Sequence, residues 1–284
     1  MTSNRAILFP GQGAQRQGMG ASVFDVYPEL LANAEDIAGF SIRDFFMDSP
    51  AERFSDTRYV QPALYTVNAL HYRKYLEEGG ALPAFLAGHS LGEFNALQAA
   101  EVFDFETGLR LVKQRALLMS ESHGGGMAAV LGLNAEEVAQ VIADNNLPGL
   151  SVANFNSDLQ VVISGPIESI RLAEEIFYDN YAIKYVVLKV SGAFHSAMLD
   201  TAAMKFADYL REFSFLPPQI PVISNRTASP YTAASTVKNL AEHINQPVMW
   251  RQSVIHMREQ GASEFIEMGD TSLLLDMIKN IRAG

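Results

Sequence analysis

The segment GHSLG, Gly88–Gly92, places one glycine two residues before Ser90 and another two residues after it. The apolar run AFLAG (84–88) predicts a short buried strand, and the segment from Leu91 to Ala100 predicts a helix. A Gly-x-Ser-x-Gly pattern between a strand and a helix is the setting of a nucleophile elbow. The segment therefore predicts an α/β fold in which Ser90 is a nucleophile, with an ordinary turn serine as the alternative.

Two backbone N–H groups are candidates for holding an oxyanion near Ser90. Leu91 stands at the start of the helix, where the helix dipole favours negative charge. Gln12 lies in PGQGAQ (10–15), directly after the apolar run RAILF, and the glycines there permit close backbone approach. A phosphate-binding loop is the weaker interpretation of this segment, because the full glycine spacing and a Lys-Ser/Thr ending are missing.

The segment between Gly124 and Gly192 has a different pattern of apolar and amphipathic runs from the rest of the chain. Its apolar and amphipathic runs follow the order βαββαβ, which is typical of a ferredoxin-like unit. We therefore predict a small domain, residues 126–190, inserted into a larger discontinuous α/β domain of residues 1–125 and 191–284. The glycine run Gly124–Gly126 is expected to be the entry hinge.

The remaining segments predict further elements of the large domain. A helix is expected over 61–76 with Pro62 at its first position, and another over 104–122 with Asp104 as its N-cap. Strands are expected at 220–225 and 264–269. No run approaches the ~20 apolar residues of a membrane span, and the N-terminus does not have the pattern of a signal peptide.

Charge and cysteine content exclude several classes of function. The net charge of −11 argues against nucleic acid as the main partner. The chain has no cysteine, so it has neither disulfides nor a thiolate metal site. We expect a cytoplasmic protein without metal or cofactor, and without a membrane partner.

A serine nucleophile needs a base, and histidine is the usual one. His89 is adjacent to Ser90, so its side chain is expected to point away, in a structural role. His71, His123 and His256 are expected at the surface or at a hinge. His195 follows the last strand of the insert, at a domain junction where sites are common. No aspartate is well placed for a triad, which leaves open an orienting group other than a carboxylate.

Arg115 lies on the apolar face of its predicted helix, together with Leu111, Leu118 and Ser122. One interpretation is an arginine whose charged end reaches water. The other is a buried guanidinium that awaits the carboxylate of a ligand, since burying it unpaired would be costly.

Four separated segments, FPGQGAQ, GHSLGEF, KQRALLM and GAFHS, resemble the malonyl-CoA:acyl-carrier-protein transacylases. The resemblance runs from Arg5 to about Ile281 and looks closest to the trans-acting acyltransferases of polyketide synthases, with the fatty-acid enzyme similar. It implies a hydrolase-like large domain with a parallel-sheet core and a ferredoxin-like small domain. It also implies the following site: Ser90 as nucleophile, His195 as base, the N–H groups of Gln12 and Leu91 as oxyanion hole, Arg115 and Gln61 around the malonyl carboxylate, and the carbonyl of His243 orienting His195.

The implied reaction moves a malonyl group from malonyl-CoA to an acyl carrier protein, or to a carrier domain of a polyketide synthase, through a malonyl-Ser90 ester. An acyl hydrolase is the first alternative, and the presence of Arg115 argues against it. A non-catalytic subunit that docks on carrier proteins is the second. Lys184 and Lys189 are candidates for contacts with an acidic carrier protein, or else ordinary solvated charges.

Three positions depart from the pattern of that family. Asp158 stands where proline is usual, Met268–Ser272 replaces a Gly-Pro-Gly, and Ala197 replaces a basic residue. None of these departures touches the implied chemistry, although Ala197 is expected to weaken contacts with the carrier protein.

Overall fold

The computed structural model describes residues 4–190 and 192–282, which contain two separate β-sheets. The strands of the described residues are β1 (Arg5–Phe9), β2 (Phe85–Gly88), β3 (Gly125–Leu131), β4 (Ser151–Ser157), β5 (Gln160–Pro166), β6 (Lys184–Val187), β7 (Val222–Ile223) and β8 (Glu264–Glu267).

Helices surround the sheets and connect their strands. The α-helices of the described residues are α1 (Ala21–Phe24), α2 (Pro28–Ala38), α3 (Ile42–Asp48), α4 (Thr57–Glu77), α5 (Gly92–Ala99), α6 (Phe105–Ser120), α7 (Ala135–Asp144), α8 (Ile167–Asp179), α9 (Asp200–Leu210), α10 (Thr236–Glu242), α11 (Trp250–Glu259) and α12 (Leu273–Lys279). Two 3₁₀ helices cover Ala51–Ser55 and Ala197–Leu199. Within the described residues, no helix combines the length and apolar character needed to cross a membrane.

The larger part of the chain is built on a parallel sheet with strand order β7-β2-β1-β8. Side chains of β1 alternate between two apolar layers: Ala6 and Leu8 pack into one, and Ile7 and Phe9 into the other. A parallel sheet is buried on both faces in this way because its crossover helices cover both faces. The predicted parallel-sheet core is confirmed.

The segment between β3 and β6 forms the second sheet, which is antiparallel with the order β4-β5-β3-β6. Helices α7 and α8 pack on one face of it and complete the predicted βαββαβ order. Asn134 and Glu137 form a capping box at the start of α7. The two-sheet fold class is therefore confirmed, while the boundaries at 125/126 and 190/191 stay a prediction, with residue 191 outside the described residues.

Most of the glycine run that was predicted as a hinge lies within a strand, and its role as a hinge stays a prediction. Gly125 and Gly126 belong to β3, and Gly124 alone precedes the strand, with a φ of 74°. A Cβ on Gly125 would lie 2.4 Å from the backbone nitrogen of Ala193. The glycine is needed because the chain enters and leaves the small unit at the same place, with the two backbones in contact.

Element boundaries also differ from the prediction, most clearly at α4 and β7. Helix α4 begins at Thr57, because the side chain of Asp56 accepts a hydrogen bond from the backbone N–H of Arg58 and caps the helix there. Pro62 therefore lies inside α4 rather than at its first position. Strand β7 ends at Ile223, and the chain then turns away from the sheet beneath Ser90.

Candidate active site

Ser90 lies in a sharp turn between the end of β2 and the start of α5, with a φ of 49°. A left-handed backbone is unusual for a residue with a side chain and is held in place by its surroundings. A Cβ on Gly88 would lie 1.9 Å from the carbonyl carbon of Gly92, and one on Gly92 would lie 2.0 Å from the carbonyl oxygen of Phe9. Both glycines are therefore required by close backbone packing, as the elbow pattern predicts.

The structure brings His195 to Ser90, although 105 residues separate them. His195 Nε2 lies 2.8 Å from Ser90 Oγ. On the other side of the ring, Nδ1 lies 2.9 Å from the carbonyl oxygen of His243 and 3.2 Å from that of Gln246. Because carbonyls only accept hydrogen bonds, the proton sits on Nδ1 and the lone pair of Nε2 faces the serine.

The family resemblance implied the carbonyl of His243 but not that of Gln246. The two carbonyls stand where a triad would have its aspartate, and no carboxylate touches His195 among the described residues. Burial, followed by the electrostatic effects of Arg115 and His89, lowers the pKa of His195 to about 3. The imidazole is therefore neutral at ordinary pH, which is the form that can accept a proton.

Arg115 is completely buried on α6, so its charged end does not reach water. Its Nη2 donates to Ser90 Oγ over 3.0 Å, and its Nη1 donates to Gln61 Oε1 over 2.5 Å. Its Nε has no hydrogen-bond partner, and among the described residues it forms no salt bridge. Burial lowers the pKa of Arg115 to about 10, so the group still carries its charge at neutral pH.

A chain of hydrogen bonds leads from Arg115 to the loop after β1. Gln61 Nε2 donates to Thr57 Oγ1 over 2.6 Å, and Thr57 Oγ1 donates to Gln12 Oε1 over 2.9 Å. Gln12 Nε2 is buried without a hydrogen-bond partner among residues 4–190 and 192–282. Thr57 is a site residue that the sequence analysis missed, because the helix was predicted to begin after it.

The loop that carries Gln12 packs directly against the elbow. A Cβ on Gly11 would lie 2.2 Å from the carbonyl oxygen of His89 and 3.4 Å from the backbone nitrogen of Leu91. Gln12 and Leu91 both line the cleft in which Ser90 lies. The two predicted oxyanion donors are thus on adjacent backbone segments beside the serine.

The cleft has a volume of about 230 Å³ and is lined by the loops that follow β1 and β2, by helices of the larger part and by strands of the antiparallel sheet. Its walls beyond the polar groups are mainly apolar, from Met119, Met127, Val162, Leu188, Val190, Phe194, Leu273, Leu274 and Met277. A small polar centre within apolar walls is the usual character of a pocket for a small ligand.

Beneath the elbow lies a second buried polar group that the sequence analysis did not identify. It consists of Asn225, Glu93 and Tyr231, all buried, with Tyr231 Oη donating to the carboxylate of Glu93. Burial raises the pKa of Glu93 to about 7, against the opposing effect of the donors from Tyr231 and the backbone of Asn225.

The other histidines lie away from the Ser90 hydroxyl. His89 Nε2 lies 2.9 Å from Asn156 Oδ1, in agreement with its expected orientation. His123 is exposed and His256 is half-buried. His71 was expected at the surface or at a hinge, but it is half-buried and lies 3.2 Å from Asp270, because α4 packs against the loop after β8.

The polar centre around Ser90 includes none of the three departures from the family pattern that were described above. It also includes neither of the two candidate docking lysines. Asp158 accepts a hydrogen bond from Arg251 over 2.6 Å and another from the backbone N–H of Arg282. Lys184 and Lys189 are both exposed. Residue 158 therefore joins the β4–β5 turn to α11 and to the end of the described chain.

Comparison with known proteins places this geometry among acyl-transferring enzymes. The sequence profile described as the acyl transferase domain matches residues 7–282. The chain is similar to the polyketide biosynthesis malonyl CoA-acyl carrier protein transacylase PksC of Bacillus subtilis strain 168, with 45% identity over 97% of this chain and 96% of the relative. Two solved structures are also similar. A malonyl CoA-acyl carrier protein transacylase from Burkholderia pseudomallei has a TM-score of 0.94 and 43% identity, over 98% of this chain and 97% of that one. The complex of a type II polyketide synthase acyl-carrier protein with its malonyl-transacylase has a TM-score of 0.93 and 34% identity, over 98% and 92%.

Proposed function

The chain belongs to the acyl transferase domain family, and from this premise we propose that Ser90 carries a malonyl group from malonyl-CoA to the phosphopantetheine thiol of an acyl carrier protein. The enzyme is a malonyl-CoA:acyl-carrier-protein transacylase, the activity that the names of its similar relatives give. One observation carries the assignment of the site: Ser90 Oγ lies 2.8 Å from the Nε2 of a neutral histidine and 3.0 Å from a buried guanidinium.

In the first half-reaction, Ser90 Oγ attacks the thioester carbonyl of malonyl-CoA while its proton passes to His195 Nε2. The backbone N–H groups of Gln12 and Leu91 hold the oxyanion of the tetrahedral intermediate. The carbon–sulfur bond then breaks, His195 returns the proton to the departing sulfur, and malonyl-Ser90 remains. The carbonyls of His243 and Gln246 hold the imidazole in the required tautomer throughout.

In the second half-reaction, the thiol of the carrier protein's phosphopantetheine arm gives its proton to His195 and attacks the malonyl ester. Collapse of the second tetrahedral intermediate breaks the bond to Ser90 Oγ, which takes the proton back from His195. The apolar walls of the cleft limit the access of water, so the thiol competes successfully with hydrolysis.

Arg115 selects the acyl group in this proposal. Its guanidinium is buried and without a carboxylate partner among the described residues, so the malonyl carboxylate supplies a bidentate counter-charge that acetyl lacks. Gln61 holds the guanidinium in the orientation that this pairing requires.

We further propose that the enzyme serves polyketide synthesis in trans and works in the cytoplasm. The 45% identity to a stand-alone polyketide transacylase over nearly the whole of both chains supports the pathway. We also propose the predicted division into residues 1–125 with 191–284 and residues 126–190, because residues of both parts line the cleft that contains Ser90.

Mass spectrometry of Ser90 after incubation with a mixed pool of acyl-CoAs tests the function directly. We expect a malonyl adduct on wild-type protein, none on Ser90→Ala, and transfer to an added holo carrier protein that is faster than release of free malonate. Loading of acetyl in preference to malonyl would refute the substrate. Release of malonate faster than transfer would support a hydrolase instead.

A further inference from the structure

The side chain of Asn225 holds the nucleophile elbow from below by two hydrogen bonds. Its Oδ1 accepts the backbone N–H of Ser90 over 2.7 Å, and its Nδ2 donates to the carbonyl oxygen of Gly88 over 2.6 Å. Asn225 is 0% exposed and lies 135 residues from Ser90 in sequence. One amide therefore bridges the end of β2 and the strained residue that follows it.

The backbone of Asn225 is fixed as firmly as its side chain. Its N–H donates to Glu93 Oε2 over 2.9 Å, and its carbonyl accepts the N–H of Met249 over 2.7 Å. Glu93 belongs to α5, the helix that begins at the elbow, and its other oxygen accepts the hydroxyl of Tyr231. The position of Asn225 is thus set from both sides of the elbow, so its side chain is a rigid support.

Asn225 also reaches the residue that orients the base. His243 Nε2 lies 3.2 Å from Asn225 Oδ1, and the carbonyl of His243 accepts the hydrogen bond from His195 Nδ1. The His243 ring is completely buried and lies 3.7 Å from the carboxylate of Glu93. The same amide oxygen therefore contacts the backbone of the nucleophile and the side chain whose backbone positions the base.

We propose that Asn225 is a positioning residue that sets the distance between Ser90 Oγ and His195 Nε2 by holding both of their supports. Without its amide, the N–H of Ser90 and the carbonyl of Gly88 lose their partners in a buried site, and the strained turn relaxes. A displacement of about 1 Å at a reacting atom costs about 10²-fold in rate. The inference rests on the proposed function only for the identity of the acyl group, since it concerns the reactivity of the serine.

The test compares wild type, Asn225→Ala, Asn225→Asp and the control Asn95→Ala. Asn95 is also a buried asparagine with two hydrogen bonds, to the carbonyl of Tyr65 and from Asn68, and it does not contact Ser90 or His195. Two rates are measured as functions of reagent concentration: phosphonylation of Ser90 by a fluorophosphonate probe, and malonyl loading from malonyl-CoA. The first does not depend on the natural substrate, and thermal melting reports the stability of each variant.

We expect Asn225→Ala to lower the saturating rate of both reactions about 10²-fold, with the half-saturating malonyl-CoA concentration unchanged. Asn225→Asp keeps the shape and the oxygen that accepts from Ser90 but loses the donor to the Gly88 carbonyl, so we expect it to slow both reactions as well and to report on the site if the alanine variant does not fold. The proposal would be overturned if Asn95→Ala lowered both rates as much as Asn225→Ala does, because the rates would then follow the loss of stability alone. Wild-type phosphonylation rates in both Asn225 variants would also overturn it, whereas phosphonylation of wild type without malonyl loading would refute the proposed function alone.

Discussion

Replacing Arg115 by methionine removes the buried guanidinium while it keeps an unbranched apolar side chain in place of the arginine stem, in the same apolar stripe of α6. In the resting enzyme Arg115 donates to Ser90 and Gln61 but forms no salt bridge among the described residues. The substitution therefore tests whether the cation is present for a ligand carboxylate or for the fold.

The magnitude follows from the hydrogen bonds that a malonyl carboxylate would accept. A hydrogen bond to a charged group contributes about 1.5–3 kcal/mol, so a bidentate pair contributes about 3–6 kcal/mol. At about 1.4 kcal/mol per tenfold change, this corresponds to a ~10²–10⁴-fold preference for malonyl over acetyl. Because Nη1 already donates to Gln61 in the free protein, we expect a loss of preference toward the lower end of that range.

The assay measures kcat/KM for loading of Ser90 from malonyl-CoA and from acetyl-CoA in wild type, Arg115→Met and the control Arg110→Met. Arg110 lies on the same helix but is exposed and pairs with Glu106. Removal of the buried charge favours the folded state, whereas loss of the donor to Gln61 disfavours it. Because the two effects oppose each other, we expect Tm to change by less than about 4 °C. If Arg115→Met folds and still prefers malonyl as strongly as wild type, the reasoning about the buried cation is refuted.

Three further predictions follow from the geometry of the site. We expect His195→Ala to reduce loading of Ser90 by about 10²–10⁴-fold with little change in KM, and only a small decrease in single-turnover experiments would argue against a general base. Burial and Arg115 lower the pKa of His195 to about 3, so its neutral form persists as the pH falls. His195 should therefore add no inflection to the kcat/KM profile between about pH 8 and about pH 5. An inflection near the ordinary histidine value of 6.5 that persists in Glu93→Gln, where the buried carboxyl with a pKa of about 7 is absent, would contradict this. A Cβ on Gly11 would lie 2.2 Å from the carbonyl oxygen of His89. We therefore expect Gly11→Ala to lower the free energy of unfolding by about 1–3 kcal/mol and to slow loading of Ser90. An unchanged midpoint of urea unfolding would contradict the close approach.

Local patterns in the sequence were sufficient for much of the fold and for part of the site. The elbow glycines, the βαββαβ order and the Asp104 cap each depend on residues close together in the chain, and the structure contains all three. The apolar face of α6 placed Arg115 correctly, but the pattern could not decide between a solvated and a buried guanidinium. That choice depends on what packs above the helix, which is a property of the tertiary structure.

The residues that were missed act over long separations in sequence. Asn225 was predicted only as part of a strand, although its amide contacts a residue 135 positions earlier. The carbonyl of Gln246 has no side-chain pattern that would reveal it. Pro62 placed the predicted start of the helix after Thr57, because proline favours the first turn of a helix, whereas the cap at Asp56 lies six residues before the proline.

The proposed role of the Arg115 guanidinium also makes the apparent KM of the enzyme depend on the anions in the solution. In the proposed role of Arg115, a buried cation that forms no salt bridge within residues 4–190 and 192–282 binds any small carboxylate that fits a cleft of about 230 Å³. Anions such as malonate or acetate in a buffer then compete with malonyl-CoA and stabilise the protein in proportion to the logarithm of their concentration. The apparent KM of the enzyme is therefore a property of the solution as well as of the protein, and comparisons between preparations require the same anion at the same concentration.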